Sequence, residues 1–113
     1  MTMSSTLTRS VTPSLHRAIA NAAVEPDHTL IVQVQQLNRA ALEILYDRYA
    51  AKGAELAFRI LQDQTLAEQV TVRAFWWIWR FALEFPSTES DFSDWFFRIV
   101  RRLVSEELSQ REL

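Results

Sequence analysis

Apolar residues recur at helical spacing along most of this chain, and Gln, Glu and Arg fill many of the positions between them. Over residues 30–52, Leu30, Val34, Leu37, Ala41, Leu45 and Tyr49 mark one face, with Gln33, Gln36, Arg39 and Arg48 on the polar side. That pattern predicts a single helix. Gly53 marks either its end or a kink, and residues 54–62 continue with Leu56, Ile60 and Leu61 as apolar positions. Asp63 or Thr65 can cap a further helix, Glu68 standing three residues after Thr65 as a capping box requires. Residues 85–92, FPSTESDF, read as a loop, after which Asp91 or Ser93 can cap a last helix through Trp95, Ile99 and Leu103.

Upstream the pattern is weaker. Residues 1–11 read as a Ser/Thr-rich tail, and Thr12 and Pro13 as the N-cap and first residue of a short amphipathic helix over 13–24. Glu25, Pro26, Asp27, His28 and Thr29 read as a linker, because proline restricts its predecessor and cannot continue a helix interior. Residues 1–28 are therefore expected to form a tail with a short helix, and 29–113 the main domain. The fold class is all-α, a compact bundle of about four to five helices.

The stretch RAFWWIWRF, residues 73–81, carries three of the four tryptophans. On a wheel of about 100° per residue, Ile78, Trp79, Ala82 and Thr71 fall near Phe75, with Ala74 and Val70 extending the apolar side and Glu68 interrupting it near the first turn. Trp79 is expected to face the core. Gln69, Arg73 and Arg80 occupy the opposite arc, and Trp76 and Trp77 stand at its two edges. Three roles are open to those two rings: covering a neighbouring helix, forming a dimer patch, or stacking on an exposed base.

Composition narrows the chemistry. With 113 residues and 49% hydrophobic content the chain has material for one core, and one Gly with three Pro favours long helices. The absence of Cys excludes disulfides and thiolate metal or redox sites, and two His are too few for a closed metal site. No nucleotide-binding glycine loop or catalytic histidine cluster stands in the sequence, so neither an enzyme nor a cofactor is expected. Twelve Lys+Arg against fourteen Asp+Glu give a net charge of −2, so any contact with nucleic acid must be local. No apolar run has the length of a membrane span or signal peptide, which suggests a cytoplasmic protein.

The order of several motifs resembles region 2 of the bacterial extracytoplasmic-function sigma factors. LIVQVQQLNRAALEILYDRYA is similar to that family's first helix, with its signature at Leu45, Tyr46, Arg48 and Tyr49. AFRILQDQTLAEQV resembles the following stretch through Arg59, Ile60, Leu61, Asp63, Ala67 and Glu68. Phe75 and Trp79 match its Phe-x-x-x-Trp, and SDFSDWFFRIVRR matches the segment in which Phe92, Trp95 and Ile99 precede the final helix. The resemblance implies a transcription initiation protein that binds core RNA polymerase and the non-template strand of the −10 promoter element. It implies a polymerase interface at Glu68, Gln69, Val72 and Arg73, facing the clamp helices. It also implies DNA contacts from Trp76, Trp77, Arg80, Phe85, Phe92, Arg98, Arg101 and Arg102, with the 85–92 loop holding an unstacked base.

Several positions depart from the family. Gln69, Val72 and Arg73 stand where it has an aspartate and a glutamine-glutamate pair, so the docking face carries altered charge. Arg102 replaces an asparagine that reads the −10 element, and Arg offers donors only. Ser105, Glu106 and LSQREL stand in place of most of a basic run, and the sequence ends before the family's −35-reading half. The alternative expectation is a sigma-like fold turned to protein interaction, with an anti-sigma partner or a second copy of the chain.

Overall fold

A computed structural model describes residues 25–86 and 91–112. The expected helix over 13–24 lies outside the described residues. Four α-helices, and no strand among the described residues, bear out the all-α bundle: α1 (Asp27–Gln35), α2 (Arg39–Leu61), α3 (Gln64–Phe81) and α4 (Phe92–Glu112). A 3₁₀ turn, Ala82–Glu84, extends α3.

The single helix expected over 30–52 is two helices. Gln36 to Asn38 turn the chain back: the Leu37 N–H donates to the Val34 carbonyl at 2.8 Å and the Asn38 N–H to the Gln33 carbonyl at 3.0 Å. Those two bonds close a Schellman cap, which places Leu37 at a left-handed φ of 66°. Leu37, counted as an apolar-face position, is consequently 73% exposed. Asn38 then caps α2 by accepting from the Ala41 N–H at 3.3 Å. The uninterrupted periodicity hid this turn, since Asn38 is the only polar cap in it and no glycine marks the left-handed residue.

Three further expectations are corrected. The Glu25–Thr29 linker is the start of α1, whose first residues follow Pro26, so the expected boundary between 28 and 29 falls inside a helix. Gly53 does not end an element but lies within α2. The cap of α3 is Asp63, which accepts from the Leu66 N–H at 2.9 Å, whereas Thr65 is inside the helix and Glu68 accepts from the Gln64 side chain instead of closing a capping box. Glu68 is exposed and does not interrupt the apolar face. At α4 Asp91 is the capping side chain, accepting from the Asp94 N–H at 3.1 Å.

Helix α2 packs against all three other helices. Its Gly53 lets α4 come close: a Cβ there would lie 2.7 Å from the tip of the Phe96 ring and 3.4 Å from the Thr71 methyl of α3. Phe96 is completely enclosed, with Phe75, Phe92, Phe97 and Tyr49 around it at centroid distances of 5.0, 6.1, 5.1 and 5.7 Å. Such aromatic pairs add to the stabilisation from buried area alone. Helix α1 is anchored by Asp27, which pairs with Arg48 at 2.7 Å and accepts the Tyr49 hydroxyl. Arg111 of α4 donates to the Leu61 carbonyl at the end of α2, at 3.1 Å, and the Gln35 side chain ties the end of α1 to the Ala82 carbonyl at 3.0 Å.

Burial and the hydrogen bond to Asp27 raise the Tyr49 hydroxyl above the ordinary phenol range, so the folded state favours its neutral form. The corresponding stability is fully present below the unfolded-state value of about 10 and is lost as pH rises beyond it. Tyr49→Phe is expected to cost about 1–2 kcal/mol at neutral pH in urea denaturation and to flatten the alkaline loss of stability. Gly53→Ala is expected to destabilise by about 1–2 kcal/mol, because overpacking the enclosed Phe96 outweighs the gain in helix propensity. Leu37→Gly should act in the opposite sense, stabilising by about 0.5–1 kcal/mol as the left-handed strain is relieved.

Candidate nucleic-acid interface

Helices α3 and α4 run antiparallel, and the packing that fixes them is aromatic. Trp77 meets Trp95 edge-on at 5.9 Å and Phe81 at 4.8 Å. Phe85 closes the far side of Trp95 at 5.2 Å. Because Phe75, Ile78, Ala74, Val70 and Thr71 point into the core as the wheel places them, the opposite arc of α3 is left facing outward beside α4. The helical spacing of Arg98 and Arg102, one turn apart, brings two cations of α4 toward that arc.

The result is a surface groove of about 590 Å³ between the two helices. Arg73, Trp76, Trp77, Arg80 and Phe81 line it from α3, and Trp95, Arg98, Ile99, Arg102, Leu103 and Glu106 from α4. Four guanidiniums thus share one concavity with the Glu106 carboxylate, and Glu107 pairs with one of them, on a chain whose net charge is −2. Low-dielectric walls concentrate a local positive potential even where the whole molecule is acidic. Trp76, 61% exposed, offers a free ring face, and Trp77 supplies a partly covered edge. The Arg80 guanidinium lies over the Phe81 ring, 5.7 Å from its centroid.

Of the residues expected at a DNA interface, Trp76, Trp77, Arg80, Arg98 and Arg102 meet in this groove. Arg73, expected to face polymerase, lines it as well and pairs with Glu107 at 3.0 Å. Arg102 takes the local partner Glu106 at 3.7 Å. Arg101 is exposed but does not line the groove. Phe85 and Phe92 are 6% and 1% exposed and pack against Trp95, so as they stand their rings belong to the core and offer no face to a base. Residues 87–90 of the loop lie outside the described residues.

Glu68, Gln69 and Val72, which the resemblance places at a polymerase interface, are exposed on α3. Trp79, expected in the core, packs against it with only part of its surface covered and borders a second, smaller groove of about 280 Å³ between α2 and α3. That groove is more apolar, with Leu42, Tyr46, Val72 and Phe75 along it and Arg39 and Glu43 at its rim. Trp76 borders both grooves. The participation of Trp95, Leu103 and Glu107 has no local sequence signal, because it arises from contacts between residues far apart in the chain.

No group of acidic or histidine side chains among the described residues could hold a metal ion, and no helix among them is long and apolar enough to cross a membrane. No family model matches this chain, and no curated protein or solved structure matches it.

The two tryptophans that differ most in burial are expected to differ as much in stability. Trp76→Ala should cost about 1 kcal/mol or less, and Trp95→Ala about 3–5 kcal/mol, by urea denaturation.

Proposed function

We propose that this chain is a sigma region 2-like protein that binds single-stranded promoter DNA by contacts alone, with the groove between α3 and α4 as the binding surface. One observation carries the reading: Arg73, Arg80, Arg98 and Arg102 line one concavity together with the exposed Trp76. Backbone phosphates need fixed cations, and unstacked bases need a flat aromatic face at the same place. Phosphate pairing by guanidiniums and stacking on an indole are both sequence-tolerant contacts. The ordered motif resemblance supplies the promoter context, and a cytoplasmic location and association with core RNA polymerase belong to the same reading. The outward Glu68, Gln69 and Val72 would then meet the clamp helices, while Arg73 serves the groove.

A second reading, self-association, is favoured by the α2–α3 groove, where Tyr46 and Val72 are 40% and 44% exposed beside Trp76 and Trp79. A second copy of the chain would cover that apolar strip.

Fluorescence anisotropy with a labelled −10-type single strand separates the two readings. Binding is expected to weaken as salt rises and to exceed binding to the matching duplex. Arg80→Ala with Arg98→Ala should lower affinity about tenfold or more, and Trp76→Ala should cost about 1–3 kcal/mol of binding. Failure to bind at low salt, together with concentration-dependent sedimentation that Val72→Asp abolishes, would establish the second reading instead.

A further inference from the structure

The four cations of the α3–α4 groove are not equivalent. Arg73 and Glu107 form the closer of the two ion pairs at this surface, and the carboxylate side chain is only 17% exposed while the guanidinium side is 47% exposed. The Arg102–Glu106 pair is longer, at 3.7 Å, with both side chains at least half exposed. Arg80 and Arg98 have no carboxylate within ion-pair distance among the described residues. The antiparallel arrangement orders these along the groove: Trp77 and Trp95 meet nearer the Arg80 end, and the Arg73–Glu107 pair closes the other.

A pair this asymmetric constrains its cation. If Arg73 turned to a phosphate, the partly covered Glu107 carboxylate would lose its partner where it is less open to water than Glu106, which opposes the exchange. The exposed Glu106 would lose little when Arg102 turned away.

We infer that Glu107 is a specificity-determining residue of the groove: it holds Arg73 as an internal counter-ion and so restricts phosphate binding to Arg80, Arg98 and Arg102. This inference rests on the single-strand reading above and adds to it a limit on how much of the groove a strand engages. The restraint shortens the electrostatic footprint and leaves Trp76, which lines the groove with Arg80, Arg98 and Arg102, as the place where a base stacks.

The test is the salt dependence of binding of a fluorescein-labelled single-stranded oligonucleotide to the full chain and its variants. Each phosphate neutralised on a single strand adds about 0.7 to the slope of log K against log salt. Glu107→Gln is expected to steepen that slope by about 0.7 and to raise affinity on the order of fivefold at low salt. In an Arg73→Ala background the same substitution should change neither quantity. Glu107→Asp retains the charge but draws the carboxylate back from Arg73, and is expected to move slope and affinity in the same direction by a smaller amount. Thermal melting by circular dichroism checks that each variant is folded.

If the unaltered chain binds and neither Glu107→Gln nor Glu107→Asp steepens the slope, the inference is overturned while the single-strand reading stands. An equal gain from Glu107→Gln in the Arg73→Ala background also overturns it, because removal of a negative charge would then act without Arg73. Absence of binding by the unaltered chain overturns the single-strand reading, and this inference with it.

Discussion

The close approach of α2 and α4 at Gly53 is the contact on which the remaining architecture depends. A side chain at that position would occupy the space of the Phe96 ring, and Phe96 is the centre of the aromatic cluster that joins α2, α3 and α4. Interiors packed to crystal-like density transmit such a constraint, because neighbouring rings have no empty volume into which to retreat. With α4 seated on Gly53, Trp95 is brought edge-on to Trp77, and the outer faces of α3 and α4 are left side by side. The groove is thus a product of the core beneath it.

Polar contacts outside the aromatic cluster complement this centre. Asp27 holds α1 against the middle of α2 through Arg48 and Tyr49, and Arg111 returns from the last turn of α4 to the corner between α2 and α3. Each satisfies groups that helix termini and partial burial would otherwise leave without partners. No buried side-chain polar atom among the described residues lacks a hydrogen bond. A rigid frame of this kind matters for the surface it carries, since a stacking ring and a set of cations act together only if their spacing is maintained.

Overall charge and local charge point in opposite directions in this protein. The chain is acidic, yet four arginines from two helices converge, and carboxylates meet them mainly at one end. The same arrangement explains why Arg73 stands apart from the other three. Its position on α3 put it on the outward arc in the sequence, and α4 then placed a partly covered carboxylate against it.

The all-α class, the buried face of α3, the exposure of Gln69, Arg73 and Arg80, and Asp91 as one of two candidate caps were legible in the amino-acid sequence, because each follows from helical periodicity or a short-range hydrogen bond. The division between α1 and α2 was not, since a left-handed leucine inside an unbroken apolar repeat carries no local mark. Phe85 and Phe92 read as loop aromatics, and only the seating of both around Trp95 makes them core. The Arg73–Glu107 pair spans 34 positions of sequence, and the gathering of Trp76, Arg80, Arg98 and Arg102 joins two helices. Local spacing decides which way a side chain leaves its own helix, but what it meets is decided by how the helices pack.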